Sequence, residues 1–235
     1  MSKLLSISLV IVLLVLPLGI ASAQDGDPCQ EAGGMIDDQT GKCMLRANVD
    51  IQISYPVEIA TLSAAKFAID DYLAKLQDDF MDNFIASAPE FTGFAPWSLY
   101  VDYALYYHPG FSVGVVFTIS EYTGGAHPFS YYKTFLFGES DGLELHLASL
   151  FEPGSNPYTT LAQVVPAKLQ EQYPGMFDPT FAPLTEDPLS YQKFTLTEDS
   201  IIFFFDQYEV AAGAAGTLQA VVPLAELGGI LVPAL

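Results

Sequence analysis

From residue 97 to residue 119 the chain alternates apolar and polar positions through two long runs joined by a short break. Trp97, Leu99, Val101, Tyr103, Leu105 and Tyr107 share one face of the first run, Pro109 and Gly110 interrupt it, and Phe111, Val113, Val115, Phe117 and Ile119 resume the pattern. A period of two sustained this long specifies strands with one buried face, and two such runs across a Pro-Gly turn read as a long antiparallel hairpin. A third strand over 129–137 follows the break at Gly124 and Gly125, and Asp141-Gly142 turns the chain into a fourth over 143–147. The expected centre of the fold is an antiparallel meander.

Upstream, residues 47–59 alternate as a strand, with Val49, Ile51, Ile53 and Tyr55 on one side. Leu62, Ala65, Ile69, Tyr72, Leu73, Leu76, Phe80 and Phe84 then recur at steps of three and four, while Asp70, Asp71, Lys75, Asp78, Asp79 and Asp82 face away. That is an amphipathic helix, stopped before Pro89. Asn156 and Pro157 open a second helix with Leu161, Val164, Val165 and Leu169 on its buried side. Pro166 is expected to kink this helix or displace its start. Four prolines in 173–190 predict a long surface loop, and strands follow over 194–196, 201–208 and 217–223. Helix, meander, helix and strands in this order predict an α+β class, an antiparallel sheet meander with two main helices packed on it.

The chain carries Lys+Arg 8 against Asp+Glu 28, a net charge of -20, and is 51% hydrophobic. Ample apolar area excludes wholesale disorder, and a surface of one negative sign excludes nucleic acid as a partner. Residues 1–23 combine Lys3, an apolar run from Leu9 to Leu16, and Ala21-Ser22-Ala23 as a small-x-small site. This predicts a secretory signal peptide, a mature chain without a membrane span, and a secreted or extracytoplasmic location. Cys29 and Cys43, in an oxidising compartment, read as one disulfide stapling an N-terminal hairpin over 24–46. Residues 229–235 form a short apolar tail.

Three histidines are available for chemistry. His108 precedes the Pro-Gly turn and His146 alternates beside Glu144, so both read as structural or solvated. His127 lies in Tyr122-Thr-Gly-Gly-Ala-His-Pro128, where paired glycines permit positive φ and close backbone approach. Such a loop either offers its amides to a ligand or is a bulged turn whose imidazole bonds a carbonyl. No Gly-x-Ser-x-Gly pattern occurs, and among 28 acids a close carboxylate pair singles out nothing. No catalytic residue, metal or cofactor is predicted. The alternative is a cell-wall or carbohydrate-active enzyme using His127 with a nearby carboxylate.

Taken in order, the strand and acidic helix up to Pro89, the Gly-Gly-Ala-His block at 124–127, the strand into a Leu-x-x-Leu-Phe turn at 143–151, and the Tyr-Glu-Val block at 208–210 followed by Gly216, Val221, Pro223, Leu224 and Leu227 form a distinctive series. It resembles the extracellular domain family shared by the anti-sigma factor RsiV and the peptidoglycan deacetylase PdaC. The resemblance implies a PdaC-like N-terminal part over 47–140 and an RsiV-like C-terminal part over 141–228, in the bacterial cell envelope. RsiV-like domains imply a lysozyme sensor, and PdaC-like ones accompany cell-wall polysaccharide chemistry. The expectation is a secreted, non-catalytic binding module that recognises a basic protein such as lysozyme, or peptidoglycan. Tyr122, Gly124, Gly125, His127, Tyr208 and Glu209 are its candidate ligand contacts, and its negative charge would steer a cationic ligand inward.

Overall fold

The computed structural model describes residues 34–36, 41, 43–45, 49–87, 96–180, 184–233 and 235. The chain forms two compact units, Met1–Arg46 and Ala47–Leu235. In the first, β1 (Gly34–Ile36) and β2 (Cys43–Leu45) pair antiparallel with Met35 opposite Met44. The expected signal peptide and Cys29, hence the Cys29–Cys43 disulfide, lie outside the described residues.

The second unit begins with β3 (Val49–Ile53), α1 (Ser63–Ser87), β4 (Trp97–His108), β5 (Ser112–Tyr122) and β6 (Phe129–Gly138). The four strands make one sheet in the order β3-β4-β5-β6. The predicted hairpin is present, with Tyr103 opposite Phe117, and β6 continues the meander with Val116 opposite Thr134. β3 departs from the meander and runs parallel to β4, Val49 opposite Trp97. The cause is the helix between them: α1 carries the chain back along the sheet, and a crossover of that kind joins parallel strands.

After α2 (Pro157–Gln172) come β7 (Phe194–Leu196), β8 (Ser200–Phe205) and β9 (Leu218–Pro223), an antiparallel three-stranded sheet in chain order. The two faces of β5 explain how the sheets are layered. Val113, Val115, Phe117 and Ile119 meet Ile69, Leu73 and Phe80 of α1, whereas Val116 on the other face meets Ile202 and Phe204 of β8. The apolar run of β8 divides the same way, with Ile201, Phe203 and Phe205 turned to Leu161, Val165 and Leu169 of α2. The order of layers is α1, four-stranded sheet, three-stranded sheet, α2. Strands buried on both faces read as continuous apolar runs, as β8 does. Full burial of one such ring, Phe117, contributes about 2–3 kcal/mol. Gly114 permits the close approach of the sheets, since a Cβ there would sit 1.9 Å from Thr195 Oγ1.

Four expectations are corrected. Residues 143–147 are not a strand: Glu144 makes one isolated bridge to Phe137, and a 3-10 turn, Leu147–Leu150, turns Leu147 and Leu150 into the core beneath α2. α2 starts at Pro157 and continues past Pro166 as one helix, so the proline does not displace its start; the bond it withholds is to the carbonyl of half-exposed Ala162. The segment 173–190 is not purely a surface loop. Phe177 anchors it at 5% exposure, and its end is a 3-10 turn, Pro188–Tyr191, capped by Asp187 accepting from the Leu189 N–H. Finally, β8 ends at Phe205 rather than Tyr208, as the chain must leave the sheet to reach β6.

Candidate functional site

The loop from β5 to β6 adopts the conformation its glycines allow, with φ of 93° at Gly124 and 144° at Gly125. Tyr122 closes it by donating its hydroxyl to the Gly125 carbonyl at 3.0 Å. His127 Nδ1 lies 2.9 Å from the Pro128 carbonyl, an acceptor only, so that nitrogen carries the proton. Nε2 lies 3.2 Å from the Tyr208 hydroxyl, within hydrogen-bond distance, and the two rings lie 6.4 Å apart at 25°. Tyr208 holds a positive φ of 71°, and its ring lies over Gly213, where a Cβ would come within 2.1 Å of it. The chain thus brings Tyr122, Gly125, His127 and Tyr208 to one exposed corner although 81 residues separate the histidine from its tyrosine.

Glu209 faces inward from that corner, onto a half-buried latch. Lys193 Nζ lies 2.6 Å from Asp206 and 2.9 Å from Glu209, and Glu209 also accepts from the Asp206 N–H at 2.7 Å. Burial works against the Lys193 charge, yet the bonds to Asp206 and Glu209 outweigh it and its pKa is raised. The other oxygen of Asp206 accepts from the Tyr132 N–H at 2.9 Å, and Gln207 exchanges bonds with both the N–H and the C=O of Ser130. Two side chains and one main-chain amide from the turn after β8 therefore pair the free edge of β6.

A cleft of about 530 Å³ opens beside the latch, walled by β6 over 132–136, by residues 144–148, by Tyr158 and by residues 188–194. Tyr191 forms its aromatic side; burial first, then the Glu186 charge, pushes this phenol up to about 12. It stays a neutral donor and bonds the Thr185 carbonyl at 2.9 Å. His146 and Glu144 are exposed and also line the cleft. Lys193, Asp206 and this cleft were not singled out from the sequence. The signal available was scarcity, since a lysine among so few cations marks a place where acids converge.

Elsewhere tyrosines take the place of missing cations. Tyr55 donates to Asp70 at 2.7 Å, Tyr100 to Asp50 at 2.6 Å and Tyr103 to Glu58 at 3.0 Å. Asp70 also pairs with Lys66, and these two bonds hold its carboxyl below the usual range. His108 is tucked edge-on against Phe111, centroids 5.6 Å apart. Among the described residues no group of three His, Cys, Asp or Glu converges as a metal site requires, and no helix is long and apolar enough to cross a membrane.

Residues 46–130 match the family model described as "Deacetylase PdaC", and residues 148–225 match "Protein of unknown function (DUF3298)". The chain is 27% identical over 229 residues to the "Immunogenic protein MPT64" of Mycobacterium tuberculosis, covering 94% of this chain and 95% of that protein. It is also 27% identical over 222 residues to the "Esterase Rv3036c" of Mycobacterium tuberculosis, 92% and 94% of the two chains. Against the "Peptidoglycan-N-acetylmuramic acid deacetylase PdaC" of Bacillus subtilis it is 29% identical over 123 residues, 50% of this chain and 26% of that protein. Among solved structures, a member of the DUF3298 family from Bacteroides fragilis aligns with a TM-score of 0.48 at 16% identity, over 76% of this chain and 70% of that one.

Proposed function

We propose, from the premise that this chain carries a PdaC/DUF3298-like domain, that it is a secreted, non-catalytic binding module whose ligand is a cationic protein of the lysozyme kind or a cell-wall glycan. The observation that carries this reading is the one-signed surface of α1. Asp71, Asp78, Asp79 and Asp82 are exposed along it, while Lys66 and Lys75 are already paired with Asp70 and Asp79. Added to a net charge of -20, such a face draws a cationic partner and raises its on-rate. Residues 47–140 and 141–228 are proposed as its PdaC-like and RsiV-like parts, and the corner of Tyr122, Gly124, Gly125, His127 and Tyr208 as its contact, with Glu209 supporting it from behind. Calorimetric titration with lysozyme at low and physiological salt tests the reading, with a neutral protein of similar size as control. Saturable binding that survives physiological salt supports it, and heat confined to low salt reduces the acidity to solubility.

A second reading is an ester hydrolase, favoured by the likeness to Esterase Rv3036c along nearly the whole chain. His127 is poorly placed to act as its base, because its ring nitrogens are engaged by the Pro128 carbonyl and the Tyr208 hydroxyl rather than by a carboxylate and a nucleophile. Turnover of short p-nitrophenyl esters that survives His127→Ala would support esterase chemistry at another site.

A further inference from the structure

Alternate residues of β6 present their main-chain groups to the edge away from β5, and the bonds made at that edge identify which. Ser130 and Tyr132 donate to Gln207 and Asp206, the Leu136 carbonyl accepts from the Leu145 N–H at 2.7 Å, and the Gly138 N–H donates to the Leu143 carbonyl at 2.9 Å. Between these two covered stretches lie the Tyr132 C=O, the N–H and C=O of Thr134, and the Leu136 N–H. All four face the same edge and have no partner among the described residues. The gap coincides with the wall of the 530 Å³ cleft. Thr134 is only 7% exposed, so its main-chain groups are withdrawn from bulk water and gain from a partner. Native folds cover sheet edges, and among the described residues the covering is present at both ends and absent in the middle.

We infer that this gap is a β-augmentation slot that takes a short extended segment of a cationic protein partner. The inference rests on the binding-module reading and adds to the Tyr122–His127 corner a second contact, together with the extended form in which a cationic partner would be held there. Four groups at strand spacing match the alternating C=O and N–H of an added strand. The stretch from residue 132 to residue 136 measures about 14 Å at about 3.4 Å per residue, so about five residues of a guest are held before the turns at 143–145 and 206–207 force it away. That bound excludes a long strand. Charge selects the side chains: Lys193 is neutralised within the latch by two carboxylates, and Glu144 stands exposed in the wall with no ion pair among the described residues, so a lysine or arginine of the guest finds an acid there.

The test uses the whole protein, isotope-labelled, with the blocked peptide acetyl-Lys-Val-Thr-Val-Lys-amide and its analogue N-methylated at the central residue. The expected result is saturable binding that slows hydrogen exchange at the Thr134 and Leu136 amides at least about tenfold and leaves Phe135, whose amide faces β5, unchanged. The N-methylated peptide should bind at least about tenfold more weakly. No binding, equal binding of the two peptides, or binding without protection of Thr134 and Leu136 overturns the inference. So does protection of those amides by an N-acetylglucosamine oligomer but not by the peptide. A lysozyme titration of the same sample separates the two readings. Lysozyme that binds without touching Thr134 and Leu136 refutes the slot and leaves the binding module, whereas peptide protection with no response to lysozyme or glycan does the reverse.

Discussion

Asp206 ties the two sheets together, and replacing it tests that claim directly. In Asp206→Ala the Tyr132 N–H loses a charged acceptor at 2.9 Å, a bond of a kind worth about 1.5–3 kcal/mol. Lys193 loses one of two partners. Because the pair is 29% and 22% exposed and Glu209 remains at 2.9 Å, that loss contributes only about 0.5–1 kcal/mol. The total is about 2–4 kcal/mol, and for a unit of this size at about 2–4 °C per kcal/mol, Tm should fall by about 5–15 °C. Asp206→Asn keeps an oxygen for Tyr132 while surrendering the charge, so it should lose about half as much. Urea unfolding followed by Trp97, the single tryptophan, which lies against Phe80 and Phe84, measures both variants. If the Ala and Asn variants unfold together, the main-chain bond is irrelevant. If both stay within about 0.5 kcal/mol of the parent, the latch does not hold the sheets.

Gly213→Ala puts a Cβ 2.1 Å from the Tyr208 ring, which is half-exposed and free to swing out. Stability should change by less than about 1 kcal/mol while the His127 ring resonances shift on loss of the tyrosine, and unchanged resonances would sink the pairing. Gly114→Ala has no such escape. Its Cβ meets the fully buried Thr195 at 1.9 Å, so overpacking should cost about 1–3 kcal/mol or more in a denaturant melt. Burial pushes the phenols of Tyr72 and Tyr191 from 10.0 up to about 12, so the native state holds their protons longer than the unfolded chain does. The stability they contribute is complete below about pH 10 and is lost as pH rises through about 12. Lys193, whose pKa is also raised, loses its contribution in the same direction, with rising pH. The urea midpoint should fall steeply across that window, tracking tyrosinate absorbance, and a flat midpoint would contradict it.

Helix α1 and the β4–β5 hairpin were legible because their signals are local: a 3.6-residue stripe and a two-residue alternation each state which face is buried. The run Ser200–Phe205 was equally legible as a strand, yet it says only that both faces are covered and not by what. The failure at 143–147 is instructive, since Leu143, Leu145 and Leu147 alternate as a strand would. The pull of Leu147 and Leu150 into the α2 core ends the pairing after one bridge. At the site, the Gly-Gly-Ala-His loop announced itself through its composition, but its partner Tyr208 lies 81 residues away and the cleft has no local signature.

Composition and periodicity alone determined that this chain is acidic, has a large core, and builds an α+β fold from a meander and two amphipathic helices. Those properties are sums and repeats over neighbouring residues, which chain order preserves. The parallel joining of β3, the covering of the back of the first sheet by the second, the neutralisation of Lys193 by Asp206 and Glu209, and the four main-chain groups of β6 left without a partner among the described residues come from the tertiary arrangement. Each of these depends on which distant segments meet, and an unpaired edge depends further on which segment stops short. No window of sequence contains that information.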